Sequence, residues 1–274
     1  MFATAQGVLA APPTTGLVAS APPAPDDGVE WEKGIAWVPE RCGADYQLLS
    51  WCSADDPDAY AEQRTGGAYY RPPGARWKHE CSTLGGALDE EQLRRIAEAS
   101  TSFVIARELW TGTKGQDDSW TVQGVTYSNA YLASSDAIEV GSSGSALLVG
   151  LAALEHAAME AALGQQVMLH LPILMTAGLA EYVRRVGNRL LTRQDNIVVV
   201  DAGYPGTGPA GETVGATAWA YATAPVQVRI SPIEVLSVPG QTVNRGSNVV
   251  TAWAERVFAA TFDPCVHFAK EITI

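Results

Sequence analysis

Residues 89–112, DEEQLRRIAEASTSFVIARELWTG, decide how the rest of the chain is read. They predict one long helix. Asp89 can cap the first turn, with Gln92 three residues on as its capping-box partner. Leu88 and Leu93 have the spacing of a hydrophobic staple around that cap. Leu93, Ile96, Ala97, Phe103, Val104 and Trp110 trace one apolar stripe. Gly112 is a natural stop. At ~1.5 Å per residue, about 22 residues give a rod of roughly 33 Å. That is well beyond the ~11-residue average of globular helices. A rod of this length can stiffen a flat, extended molecule. Glu90 and Glu91 favour the helix dipole in the first turn, which explains them better than paired acid–base catalysis does. Glu108, near the far end, is less well placed for the dipole. It reads as a partner for an arginine of the same or another copy.

The 274 residues can hold one large domain or two small ones, and a hydrophobic fraction of 47% supports a sizeable core. No run of ~18 apolar residues occurs, which excludes a membrane-spanning helix. Residues 1–25 carry no Lys, Arg, Asp or Glu, so a secretory signal with a basic start is not expected. With no Asn-X-Ser/Thr acceptor either, cytosolic synthesis is expected. Cys42, Cys52, Cys81 and Cys265 form no CxxC pair and read as buried or free thiols. A Cys42–Cys52 loop disulfide is the alternative. No His pair has metal-ligand spacing, so neither a zinc site nor any other cofactor is expected. The net charge of −12 argues against a tight coat on DNA, which needs a basic footprint. It is compatible with a container whose acidic wall leaves enclosed DNA free to slide.

Working outward, residues 1–28 are rich in Ala, Pro, Thr and Gly and read as an extended arm with too little apolar bulk for its own core. Such an arm must be held by something: neighbouring subunits, or its own domain. Residues 29–83 hold strand-like pieces at 34–39, 68–71 and 75–81 around the polar stretch 53–67. They predict a long two-stranded excursion that is too exposed to be stable alone.

Beyond the long helix, 113–144 is rich in Ser, Gly and Asp. A second helix is expected at about 145–163, with Ser145 or Ser143 capping it and Gly164 ending it. A strand at 166–170 leads to Pro172. A third helix is expected over about 172–186, with Arg184 and Arg185 in its last turn and Gly187 after it. Strands follow at 196–201, 217–223, 226–230 and 233–238, with the loop AGYPGTGPAGE at 202–212. The last residues predict a β-hairpin: 248–262, a turn at Asp263-Pro264, then 265–274. No internal repeat is present.

Some motifs look chemical. Gly206-Thr-Gly208-Pro-Ala-Gly211 satisfies G-x-G-x-x-G after a strand, yet β-prone residues follow where a dinucleotide site needs a helix N-terminus. A turn-rich loop is the better reading. Gly141-Ser-Ser-Gly144-Ser145 fails G-x-S-x-G, and nothing in the spacing brings His170 or His267 to it. The eight tryptophans are scattered and read as core or interface anchors.

Two stretches carry a resemblance: ARELWTG (106–112), and VMLHLPILMTAGLAEYVRRVGNRLLTRQDNIVVVDAGYPG (167–206). With the order of elements, they make the chain resemble the major capsid proteins of tailed bacteriophages, whose Hong-Kong-97-type fold encapsulins share. The resemblance covers nearly the whole chain. It implies an α+β fold with an N-terminal arm at 1–30 and an extended β-hairpin loop at 31–83. A peripheral domain would comprise 84–144 and 246–274, with the spine helix at 89–111. A mixed α/β axial domain would occupy 145–245.

The function so implied is structural: a virion protein whose copies form pentamers and hexamers of an icosahedral shell. The shell would enclose double-stranded DNA without sequence-specific binding. Portal, scaffolding and decoration proteins would be the further partners. No catalytic residue, cofactor or membrane is implied. The interface residues expected are Trp51 and Tyr60 in the loop, Lys78, Glu108, Trp110, and Tyr204 in the axial segment. Some family members cross-link a loop lysine to an asparagine. Lys78 is in a suitable loop, but no asparagine is assigned to it and that chemistry is not claimed. Encapsulins begin with a cargo-docking helix, which Pro12, Pro13, Pro22, Pro23 and Pro25 disfavour here, so a virus shell is the better fit. The alternatives are another virion component (tail tube or decoration protein), an encapsulin-like compartment, or a serine hydrolase using Ser143 or Ser145 with His170.

Overall fold

A computed structural model describes residues 14–24, 31, 35–37, 68–82, 90–114, 120–122, 125–141, 144–236, 243–244 and 249–274. In chain order these form α1 (Leu17–Ser20), β1 (Ile35–Trp37), β2 (Ala68–Tyr70), β3 (Gly74–Ser82) and α2 (Glu90–Thr111). Next come β4 (Trp120–Val122), β5 (Val125–Tyr127), β6 (Ile138–Glu139), β7 (Ser145–Ala146), α3 (Leu147–Ala161) and β8 (Met168–Pro172). A 3₁₀ helix (Ile173–Glu181) follows, then β9 (Val183–Val186), β10 (Arg189–Thr192), β11 (Ile197–Asp201) and β12 (Thr217–Thr223). The chain closes with β13 (Gln227–Ile230), β14 (Glu234–Leu236), β15 (Val243–Asn244), β16 (Val249–Thr261) and β17 (His267–Thr273).

The larger sheet runs β6-β17-β12-β8-β11-β10-β9, with β7 also beside β17. Its period-2 alternation decides what covers each face. In β12 the small residues Ala218, Ala220 and Ala222 face Leu151 and Leu154 of α3. Trp219 and Tyr221 face the other way, toward Ile105, Leu109 and Trp110 of α2. β8 alternates in step, Met168 toward α2 and Leu169 and Leu171 toward α3. Both faces of the sheet are therefore buried at its middle strands β8 and β12.

The smaller sheet is organised around the long strand β16. β3 lies antiparallel to it over Val249–Val257, and β13, β14 and β15 also pair with it. The first half of α2 packs here, Leu93 and Ala97 against Ala252 and Ala254. One helix thus serves both sheets: its first half covers the smaller one and its second half the larger. That division needs the full 22 residues of α2. β1 and β2 pair antiparallel, so the ends of segment 38–67 are held side by side.

Several expectations are corrected. The buried face of α2 is Leu93, Ala97, Thr101, Ser102, Ile105, Ala106, Leu109 and Trp110. Ile96 and Phe103 stand off it, 38% and 46% exposed. A stripe drawn through apolar residues alone missed the i, i+4 line because two of its members are hydroxyls. Thr101 satisfies itself on the Ala97 carbonyl at 2.7 Å and also accepts from Arg256 at 3.0 Å.

The third helix is a 3₁₀ helix that ends at Glu181 and is followed by the hairpin β9–β10. Gly187 and Asn188 form a two-residue loop between paired Val186 and Arg189. Gly187 has φ +62°, as the first position of a type II′ turn requires, and β-branched Val183 and Val186 favour a strand.

The closing hairpin does not form. β16 ends in the smaller sheet, and after the turn at 263–266 β17 enters the larger one beside β12. The last strand therefore joins the sheet of the block expected to end at 245. Ser145 does not cap α3. It lies in β7 opposite Ile272, and the cap position is Ala146 with no side-chain bond. Cys265 is disulfide-bonded, so the free-thiol reading fails for it. Trp51, Tyr60, Asp89, residues 1–13 and residues 25–30 lie outside the described residues.

Candidate assembly interface

The described part of the arm is held by its own chain. The Leu17 N–H donates to Asp201 Oδ2 at 2.9 Å, and the Ser102 hydroxyl donates to the same oxygen at 3.3 Å. The Gly203 N–H donates to Oδ1 at 2.8 Å. The Leu17 side chain is fully buried beside α2 and the larger sheet. Only glycine fits at position 16: its φ is +102°, and a Cβ would stand 2.5 Å from Asp201 Oδ2. Farther along, Asn188 Nδ2 donates to the Ala19 carbonyl at 3.2 Å and the Arg189 guanidinium to the Ala21 carbonyl at 3.3 Å. Pro23 bridges to Val228. Of the two readings of the arm, docking on its own domain holds for residues 14–24. Burial pushes the Asp201 carboxyl up, and the N–H groups of Gly203 and Leu17 and the Ser102 hydroxyl oppose that shift.

Trp110 and Tyr204 were expected at an interface and are core instead, 0% and 3% exposed. Trp110 packs edge-on to Tyr221 at 4.8 Å and tilted against Tyr204 at 5.0 Å. Its indole N–H reaches the Thr207 carbonyl at 3.2 Å and hydroxyl at 3.1 Å. Tyr204 shares a hydrogen bond of 2.9 Å with His170 Nδ1, and Thr223 one of 3.0 Å with Nε2. Aromatic residues with a polar handle suit such a buried joint, because each polar tip finds a partner. This cluster fixes the end of the long helix to the larger sheet. His170 is held down at about 3, by burial and then by repulsion from His267.

Other large apolar side chains stand on the outer surface. Phe103 and Val104 line an open groove of about 290 Å³ with Pro73 and Phe258, edged by Arg107 and Glu108. Leu148 and Val149 begin α3 in the open, Val149 at 66% exposure. Ile173 and Leu174 are exposed at the start of the 3₁₀ helix. Lys78 is exposed in β3, in register with Trp253. Glu108 accepts the Lys114 backbone N–H at 2.8 Å at the end of α2.

The chemical motifs stay apart. His170 has both ring nitrogens engaged in the core, and Ser145 lies in β7, paired with β17 opposite Ile272. The loop 202–216 is followed by β12, so no helix N-terminus faces Gly206 or Gly211. Among the described residues no group of three or more His, Cys, Asp or Glu is placed to hold a metal ion. No helix there is long and apolar enough to cross a membrane. Asp201 and Gly16 were missed in the sequence. The available signal was an acid closing the apolar strand IVVVD, which an unpaired carboxylate would not do.

No protein-family model matches the chain, and no curated protein matches it. Solved structures do. The chain is similar to the capsid of an empty GTA particle at 14% identity and a TM-score of 0.54, covering 100% of this chain and 94% of that one. The native GTA particle capsid gives 14% and 0.52 over the same shares. The capsid of Ralstonia phage GP4 gives 11% and 0.51, over 99% of this chain and 93% of that one. At these identities the likeness is one of fold. The chain has the α+β Hong-Kong-97-type capsid fold.

Proposed function

We propose that this chain is a major capsid protein: many copies assemble into a closed icosahedral shell of pentamers and hexamers that encloses phage DNA. The observation that carries this is a likeness to capsid subunits running the full length of the chain rather than through one domain. The surface supports it. Phe103, Val149, Ile173 and Leu174 are large apolar side chains left in the open, on both the long helix and the axial block. Several modest contacts per copy can together exceed a standard ~1,600 Å² interface, which is ample for stable association. The charge of −12 suits a wall that holds DNA by enclosure rather than by sequence-specific contact. Portal, scaffolding and decoration proteins are the further partners of such a shell. The reading assigns no catalysis to the chain, places it in the virion and has it made in the host cytoplasm.

Negative-stain images and light scattering of the expressed protein test this. Closed particles of tens of nanometres are expected. Rings or filaments would instead favour a tail component, and a monodisperse monomer at high concentration would remove the shell reading.

A further inference from the structure

We infer that the hairpin β9–β10 is an anion-docking surface that receives the acidic run 55–62 of a second copy of the chain. The inference rests on the assembly reading and names one contact within it. In a chain of net charge −12, Arg184, Arg185, Arg189 and Arg193 fall within ten residues of one hairpin. Arg184, Arg185 and Arg193 are exposed. Among the described residues their hydrogen bonds use little of their donor capacity. Arg184 pairs with Asp195, Arg185 Nε donates to the Gly187 carbonyl at 3.1 Å, and Arg193 reaches the Glu181 carbonyl at 3.5 Å. A guanidinium carries several further N–H donors in a fork that matches a carboxylate. Arg184 and Arg193 also wall an open groove of about 330 Å³ with Ala180, Glu181, Tyr182 and Val183. β9 ends the sheet order, so its outer backbone edge has no strand beside it among the described residues. An extended segment can use such an edge.

The occupant follows from charge. Residues 55–62, DDPDAYAE, hold Asp55, Asp56, Asp58 and Glu62 with no Lys or Arg. Glu181 and Asp195 flank the hairpin and would repel a continuous phosphate backbone. Discrete carboxylates on a peptide can instead meet the arginines one at a time. The run lies within segment 38–67, whose ends are tied where Trp37 pairs with Ala68. A segment of about 30 residues tied at both ends can reach at most ~50 Å from them, at ~3.3 Å per residue.

The experiment uses two variants, Arg184→Glu/Arg185→Glu/Arg193→Glu and Asp55→Lys/Asp56→Lys/Asp58→Lys, each checked for an unchanged melting temperature before assembly. At low salt each alone should lower particle yield at least tenfold, and mixing the two should restore much of it, because each repairs the other in trans. Unchanged yields would overturn the inference while leaving the assembly reading intact. Restoration only when all six changes share one chain would make the contact internal and overturn the second-copy assignment. Normal particles that lose nuclease-protected DNA would make phosphate the partner and overturn it too. If the wild type forms no particle, the assembly reading fails separately. A labelled peptide of residues 51–64 then decides the contact: it should bind the wild-type chain about tenfold more tightly than the arginine variant, and equal binding would overturn the docking.

Discussion

Asp201 and Leu17, 184 positions apart, are joined by a backbone N–H donated at 2.9 Å to a buried carboxylate that also takes the Ser102 hydroxyl. One side chain therefore ties α1, α2 and the loop after β11 together. Asp201→Ala leaves a buried N–H and hydroxyl without their acceptor, at a cost of about 1–3 kcal/mol. Gly16→Ala places a methyl against the same oxygen and should cost a similar amount. Hydrogen exchange at residues 17–20 checks this: both variants should lose protection there before the larger sheet does.

The same carboxylate and His170 pull stability in opposite directions with pH. Folded His170 titrates at about 3 against an ordinary 6.5, so between these values the unfolded chain binds the extra proton. The stability this histidine contributes is complete above pH ~6.5 and is lost as pH falls toward 3, at up to ~1.4 kcal/mol per unit. His267 is lowered too, mainly by burial, and acts in the same sense. Asp201 is raised, so the folded state holds the extra proton and its contribution grows on acidification. Urea midpoints between pH 7 and 3.5 separate the two. His170→Gln should flatten the loss, and Asp201→Asn should steepen it.

Trp110 fills the joint between the long helix and the larger sheet. Trp110→Ala should cost about 3–5 kcal/mol as a large-to-small change in a packed core. Trp110→Phe keeps ring packing but leaves the Thr207 hydroxyl without the indole N–H, while Tyr221 still reaches the Thr207 carbonyl at 3.0 Å. It should therefore cost clearly less. Melting temperatures of the two variants check the order, and a Phe variant as unstable as the Ala variant would contradict the joint.

The long helix and the strands near 197–201 and 217–223 were legible because local signals decide them: a 22-residue helix-forming run, a β-branched run, a stop glycine. The errors fell where tertiary pairing decides. Val183–Val186 is a strand only because Arg189–Thr192 folds back beside it. β16 and β17 look like one hairpin locally, and they separate because each pairs with another strand, β16 with β3 and β17 with β12. Trp110 and Tyr204, expected at an interface, are buried in the core, because residue type does not say whether an aromatic anchors a core or a neighbour. Asp201 was invisible because its partner lies in the arm.

The exposed apolar residues separate folding from assembly. Phe103 lies on the groove beside α2, and Val149 opens α3, both in the open. Polar substitutions at exposed positions usually change stability by no more than ~0.5 kcal/mol. Phe103→Ser and Val149→Ser should therefore leave the melting temperature of the unassembled chain nearly unchanged. If these side chains meet a neighbour, each shifts assembly to higher protein concentration. Losing a buried contact of ~100 Å² at ~25 cal/mol per Å² gives about 2.5 kcal/mol, or more than tenfold in that concentration. Light scattering across a dilution series reads the shift directly. Unchanged assembly in both variants would move the subunit contacts away from these two sites and onto the loop and arm.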